Sequence, residues 1–310
     1  MKLNKPNFWD TKNSFFSIIL YPLSFLFNFV IFFKEKFTKQ KNFQIPIICI
    51  GNIYLGGTGK TPTSIYIATE LAKKNKKVAI LKKYYKNHKD EHNLIKQNYD
   101  DLILSINRID GINEAIDKGF ETIVLDDGFQ DYQIKKDLNI ICFNQNQKVG
   151  NGLTFPAGPL REKIISLKRA SIVIINGTKD QKFEEKVFDA NPNIKIFYSK
   201  YNPKNIDHFK NKKILAFAGI GNPQNFFKIL KENNLDVFKE MIYPDHYEFK
   251  KDLLLKLIHF ANTNNLIIVT TEKDFFRIKH YNLKEINYLK VDLEIKDKES
   301  LLKEVFKIYD

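Results

Sequence analysis

Cysteine is almost missing from this sequence, which has two in 310 residues, Cys49 and Cys142. Each lies in an apolar run, and neither has a second cysteine or a histidine at metal-ligand spacing. This excludes a disulfide framework and a zinc ribbon, and it reads both as buried thiols of a reducing compartment. Acidic residues are also scarce, 36 against 50 Lys+Arg, for a formal net charge of +14. The excess suits anionic partners such as phosphates or an anionic lipid surface, although a Lys-, Asn- and Ile-rich composition alone would produce it too. Internal repeats and low-complexity tails are absent. No nucleic-acid module or aromatic–basic platform is present, so nucleic acid is not an expected partner. The remainder, 43% apolar over this length, is enough for two domains with a sizeable core.

Charge is missing altogether from residues 15–33, "FFSIILYPLSFLFNFVIFF". A stretch of that length can span a bilayer. Pro22 interrupts it, and Ser17, Ser24 and Asn28 dilute it. No small-residue cleavage site follows, which argues against a signal peptide. Three readings are open: a single span, a Pro-broken helical hairpin in the interface, or a buried core helix. Seven phenylalanines with no evident helical polar stripe argue against an ordinary surface helix. Lys34, Lys36, Lys39 and Lys41 follow, as suits the anionic cytoplasmic face of a membrane.

Beyond residue 45 apolar strands alternate with helix-like stretches. Runs such as IPIICI, NIICF and SIVII suit strands buried on both faces, the mark of a parallel sheet. The expected strands are 45–50, 78–81, 102–106, 122–125, 139–143, 171–175 and 195–198, with helices at 61–74, 110–118 and 180–189. The pattern restarts after a polar, turn-rich stretch at 203–212, with strands at 214–218, 237–242, 266–270 and 285–291 and helices at 223–231, 250–262 and 298–308. The expected fold is therefore α/β, a P-loop NTPase-like, mostly parallel sheet with helices on both faces. A smaller C-terminal α/β lobe completes a cleft, and an N-terminal helical segment associates with a membrane. The expected division is 1–42, 43–207 and 208–310.

The first strand ends in "GNIYLGGTGKTP". Gly59-Lys60-Thr61 matches the end of G-x-x-x-x-G-K-[ST], although Tyr54 stands where the first glycine belongs. Gly56 and Gly57 still let the backbone turn its N–H groups inward, and the N-terminus of the next helix adds to an anion site. The loop Tyr54, Leu55, Gly56, Gly57, Thr58, Gly59, Lys60 and Thr61 is the expected nucleotide cradle. Lys60 would reach the β- and γ-phosphates and the Thr61 hydroxyl would bind Mg²⁺. "ETIVLDDGFQD" places Asp126 and Asp127 at the end of another strand, where ligands bind in open α/β sheets, and one of them would hold the metal. Guanine-specific GTPases carry D-x-x-G after such a strand and a later N/T-K-x-D. Here Leu125 holds the first place, and the lysine of "TEKD", 271–274, is one position off, so ATP is the expected nucleotide.

With these residues in view, the sequence resembles the tetraacyldisaccharide 4'-kinase family along almost the whole chain. The resemblance rests on "NFWD", "YPLS", "GNIYLGGTGKTP", "DDGFQDYQIKKDL", "GNGLTFPAGPLRE", "FAGIGNPQNFF", "YPDHYEF" and "TTEKD". It implies an ATP- and Mg²⁺-dependent enzyme, monomeric, at the cytoplasmic face of a bacterial inner membrane. Such an enzyme phosphorylates the 4'-hydroxyl of an acylated disaccharide lipid. It also implies that Asp90 and His246 form a catalytic pair with Lys60. Glu162 is then expected near the metal beside Thr61, Asp126 and Asp127, and Gln130 and Arg161 near the substrate. A membrane-tethered P-loop ATPase switching a partner protein is the alternative. Two departures stand out. "KKYYKN", 82–87, replaces a family S-R-G-Y-G-R run, and Asp131 replaces the histidine of "DDGFQH". Lysine does not reproduce the bidentate reach of arginine, so phosphate contacts from that loop are in question.

Overall fold

The computed structural model describes residues 5–86 and 89–310, and Asn87 of the departing loop lies outside them. Along the chain run α1 (Phe15–Phe37), β1 (Ile47–Gly51), α2 (Lys60–Ala72), β2 (Val78–Lys83) and α3 (Lys89–Asn98). Then come β3 (Leu102–Ser105), α4 (Arg108–Asp117), β4 (Thr122–Asp126), β5 (Leu138–Asn144), β6 (Ile172–Asn176), α5 (Gln181–Ala190) and β7 (Lys195–Pro203). The remainder is β8 (Lys213–Ala218), α6 (Pro223–Glu232), β9 (Asp236–Ile242), α7 (Lys251–Thr263), β10 (Ile267–Thr271), α8 (Glu272–Ile278), β11 (Ile286–Leu289), β12 (Val291–Ile295) and α9 (Lys298–Phe306).

Two compact units form. The larger holds Lys5–Tyr84, Tyr99–Lys200 and Ile295–Asp310, and the smaller holds Tyr85–Asn98 and Tyr201–Glu294. This differs from three consecutive segments. Residues 89–98, given no element from the sequence, fold as α3 in the unit of the C-terminal strands. The last residues return to the larger unit, where Tyr309 Oη lies 2.6 Å from Thr122 Oγ1 and Lys298 pairs with Glu70 at 2.6 Å. The expected strand 285–291 is two strands in different sheets, β11 and β12.

One sheet has the order β12-β7-β6-β5-β1-β4-β2-β3, and every pairing from β7 to β3 is parallel. Its strands β1, β4 and β6 are buried at every position, as their unbroken apolar runs require. Cys49 and Cys142 lie here, and burial pushes their thiols up to about 11 and about 12. Adjacent placement of β1 and β4, with Ile50 opposite Asp126, brings the acid-bearing strand end beside the glycine turn. The smaller sheet, β11-β10-β8-β9, is parallel throughout. Along β8, Ile214, Ala216 and Ala218 join one core with α6, while Leu215 and Phe217 join another with α7. Side chains alternate faces in a strand, so one apolar run feeds two cores.

Helix α1 corrects two of the three readings of 15–33. It runs unbroken through Pro22, so no hairpin forms, and only Ser17 and Ser24 are buried, so it is no core helix. It does have a polar stripe. Ser17, Ser24 and Asn28 are seven and eleven residues apart, which at 3.6 residues per turn returns them to nearly one line. Ser24 Oγ donates to Thr154 O (2.8 Å) and accepts from Ala157 N (2.9 Å); Asn28 Nδ2 donates to Thr154 Oγ1 (2.8 Å), and Asn151 Nδ2 donates to Ser17 Oγ (3.1 Å). The polar line thus grips residues 151–157, while the apolar remainder faces outward, with Phe15 71% and Phe25 66% exposed. α1 is the one described helix long and apolar enough to cross a membrane.

Candidate active site

The turn after β1 is shaped by two glycines at positive φ, Gly56 (+142°) and Gly59 (+91°), where a side chain would be strained. Gly59 precedes α2, no side chain caps the helix, and a helix N-terminus favours an anion. Asn52, fully buried, braces the turn from inside: its Nδ2 donates to Thr58 Oγ1 (2.9 Å) and Gly56 O (3.3 Å). Not all of the expected cradle is available. The Leu55 N–H donates to Pro159 O (2.8 Å) and Tyr54 is buried in a bridge to Leu160. The backbone that can meet a phosphate therefore starts at Gly56.

The strand-end acids are brought to this turn. Asp126, fully buried, accepts from Thr61 Oγ1 (3.0 Å), Ser64 Oγ (3.1 Å) and Lys82 Nζ (2.5 Å). Asp127 follows at φ +58°, a left-handed turn that an aspartate tolerates better than most residues. Its carboxylate meets Arg161 Nη1 (2.9 and 3.1 Å), with Lys60 Nζ 3.7 Å away. Burial alone would push the Asp127 carboxyl up, but Lys60, Arg161 and Lys82 hold it well below the usual carboxylate range. Three cations face two acids, and the excess positive charge suits a polyphosphate.

Thr61 and Asp126 offer a hydroxyl and a carboxylate at one point, the hard oxygen donors Mg²⁺ takes together with phosphate oxygens. Among the described residues no group of three or more His, Cys, Asp or Glu could cage a metal alone. The donor set therefore fits a metal held jointly with a nucleotide. Both oxygens of Glu162 have protein partners. Its Oε1 accepts from Gln130 Nε2 (2.9 Å) and its Oε2 is ion-paired to Arg169. Burial outweighs the Arg169 charge and pushes its carboxyl up. Gln130 also donates to Asn52 O (2.9 Å) and lies 3.4 Å from Arg161 Nη1, so Gln130, Arg161 and Glu162 form one network under Asn52 and Asp127. Asp131 pairs with Arg108 (3.2 Å), whose other nitrogen donates to Asp127 O (2.6 Å); it pins the acid turn.

The smaller unit assembles a second cluster. Asp90, in the first turn of α3, is buried, and its Oδ2 lies 3.4 Å from His246 Nδ1 and 2.5 Å from Arg277 Nη2. His246 sits at φ +56°, a strained position for a non-glycine residue, held by its N–H donating to Gly219 O (3.1 Å). Lys273 Nζ is 2.9 Å from Glu91 and 3.4 Å from His246 Nε2. Burial would raise the Asp90 carboxyl, but His246, Lys273 and Arg277 hold it well below the usual range, so it is ionised at neutral pH. "TTEKD" builds the base of this cluster. Thr271 caps α8 by accepting from Asp274 N (3.1 Å), and Asp274 accepts from Gly219 N (2.8 Å) and Arg277 Nη1 (2.6 Å). Asn52, Arg169 and Arg277 were not singled out from the sequence. Besides near neighbours, each has a partner far along the chain (Gln130, Glu35 and Asp90), and no local pattern marks them.

A family model described as Tetraacyldisaccharide-1-P 4'-kinase matches residues 16–309. The chain belongs to the tetraacyldisaccharide 4'-kinase family. A tetraacyldisaccharide 4'-kinase of Pelagibacter ubique is 44% identical over 312 residues, covering 99% of both chains, and one of Rickettsia bellii is 30% identical over 99% of both. The crystal structure of LpxK from Aquifex aeolicus in complex with ATP superposes with a TM-score of 0.73 at 26% identity, over 95% of this chain and 99% of that one. Membership in a kinase family favours phosphoryl transfer over the switch ATPase.

Proposed function

We propose that this kinase transfers the γ-phosphoryl group of ATP to the 4'-hydroxyl of a tetraacylated disaccharide, working at the cytoplasmic face of the inner membrane as a monomer. The observation that carries the reading is the convergence of Thr61 and Asp126, 3.0 Å apart, at the N-terminus of α2. The amides from Gly56 to Thr61 and the Lys60 ammonium bind the phosphate tail. Thr61 and Asp126 would hold the Mg²⁺, which would supply charge neutralisation for the phosphates. Arg161 and Asp127 fix one another and orient Lys60. Glu162, Gln130 and Asn52 support that arrangement from behind.

On the acceptor side, Asp90 accepts a hydrogen bond from the sugar hydroxyl and orients its oxygen. A carboxylate held at so low a pKa stores a proton poorly. A loose phosphoryl transition state, however, asks mainly for positioning of the nucleophile. As the oxygen–phosphorus bond forms and ADP leaves, the hydroxyl proton passes through Asp90 to His246, 3.4 Å away, and on to solvent. The outward apolar face of α1, followed by lysines, supports docking on an anionic bilayer that holds the acylated acceptor.

Purified protein with Mg-ATP and the disaccharide acceptor in mixed micelles should yield a lipid phosphorylated at the 4'-oxygen, identified by mass spectrometry and phosphorus NMR. Release of free phosphate alone, with or without acceptor, defeats the reading.

A further inference from the structure

Strand β2 reads V-A-I-L-K-K, and its fifth residue, Lys82, is 5% exposed. An ammonium in the body of a buried strand is costly unless a charge meets it. The ladder supplies that charge. Lys82 lies opposite Asp126 in the parallel register of β2 and β4, so both side chains leave the same face of the sheet. Lys82 Nζ lies 2.5 Å from Asp126 Oδ2, the oxygen that also accepts from Thr61 Oγ1 at 3.0 Å. The remaining oxygen, Oδ1, accepts from Ser64 at 3.1 Å. The carboxylate edge turned toward Thr61 therefore already carries a cation fixed by the chain.

We propose that Lys82 is the resident counter-ion of Asp126 and keeps a free divalent metal off this carboxylate, so that the site accepts metal only together with nucleotide phosphates. This rests on the phosphate-site reading of the Gly56–Thr61 turn. A lone divalent cation at Thr61 and Asp126 would meet Lys82 on the same oxygen, with Lys60 and Arg161 already neutralising Asp127. A polyphosphate reverses the balance. Its oxygens give the Lys82 ammonium a second acceptor and leave Asp126 Oδ2 to the metal. Lys82 is thus a positioning residue that sets the loading order, and it withholds the acid pair from metals that arrive without nucleotide.

The test uses Mn²⁺ as the probe, read by the electron paramagnetic resonance signal of the free ion, and a fluorescent ATP analogue. Wild-type protein without nucleotide should leave Mn²⁺ free and should take it up once the analogue is added. Lys82→Met, which keeps the stem and removes the charge, should bind Mn²⁺ without nucleotide at least about tenfold more tightly than wild type. Lys82→Arg should stay weak. Tight Mn²⁺ binding by nucleotide-free wild type, or equal binding by wild type and Lys82→Met, overturns the proposal while nucleotide binding persists. Should Lys82→Met fail to fold, the wild-type titration decides alone. Loss of analogue binding by wild type even with Mg²⁺ overturns the phosphate-site reading itself, and the proposal with it.

Discussion

Arg277→Met removes the guanidinium that joins two buried acids. Arg277 donates to Asp90 (2.5 Å) and to Asp274 (2.6 Å), and its Nη1 also reaches Gly219 O (3.1 Å). Both carboxylates are almost sealed from water, with side chains 2% and 0% exposed. Deleting one partner of such a pair costs about 3–5 kcal/mol, because the charge left behind stays buried. Two features pull toward the lower end. Asp90 keeps His246 at 3.4 Å and Lys273 at 3.8 Å, and Asp274 keeps the Gly219 N–H and the Thr271 hydroxyl. We expect a loss of about 3 kcal/mol near neutral pH, read by urea unfolding. Asp90 has a depressed folded pKa, so its contribution is complete above the unfolded value of about 3.9 and is lost as pH falls through the folded one. The gap between wild type and Arg277→Met should therefore be widest at neutral pH and narrow in acid. Turnover should fall about 100-fold as Asp90 loses its orientation, with nucleotide affinity unchanged. A double-mutant cycle with Asp90→Asn isolates the pair. Stability effects that add within about 0.5 kcal/mol would mean that Arg277 does not hold Asp90, and the account of the acceptor side would fail.

Ser24→Leu should lower stability by about 1–3 kcal/mol, seen as a fall in Tm, because it leaves the Ala157 N–H unpaired under α1 and takes from Thr154 O one of its two donors. Phe25→Ser, on the exposed face, should leave Tm unchanged and reduce co-sedimentation with anionic vesicles. Gly59→Ala forces a side chain to φ +91° and should cost about 1–3 kcal/mol of strain while weakening binding of a fluorescent ATP analogue. Asp127 is held below the usual carboxylate range, so its stabilisation is complete above the unfolded pKa and disappears as pH falls through the folded one. Asp127→Asn should accordingly flatten the acid limb of Tm against pH.

The larger sheet was legible because strands buried on both faces leave unbroken apolar runs, and the acid pair because it ends one of them. The glycine turn was legible in outline. Its real extent depends on Pro159 capturing the Leu55 N–H, a contact more than a hundred residues away in sequence. The membership of α3 was hidden for the same reason. "KDEHNLIKQN" is polar enough to be left without an element, and His246, Arg277 and Lys273 meet Asp90 and Glu91 from far along the chain. The resemblance placed Glu162 near the metal, and nothing in the sequence signalled that Gln130 and Arg169 meet its two oxygens. The polar line of α1 was missed because three small polar residues among many phenylalanines look like dilution until their angular positions are compared.

The segment from Asn151 to Glu162 ties these findings together. Its first half grips the N-terminus: Asn151 N donates to Trp9 O (2.7 Å), Trp9 Nε1 donates to Pro156 O (3.0 Å), and Thr154 and Ala157 hold Ser24. Its second half braces the phosphate turn: Pro159 O accepts from Leu55 N (2.8 Å), Arg161 N donates to Ile53 O (2.8 Å), and the Arg161 guanidinium holds Asp127. Arg169 closes the circuit, ion-paired to Glu162 and 3.2 Å from Glu35 at the end of α1, with its guanidinium 4.2 Å from the centre of the Phe129 ring. A helix that exposes its apolar face and turns its polar line to this segment is therefore joined by hydrogen bonds and ion pairs to the residues that shape the phosphate site. The greasy N-terminus and "PAGPLRE" lie more than a hundred residues apart in sequence yet form one device. Whatever surface receives the apolar face of α1 is thereby tied to the position of the phosphate turn.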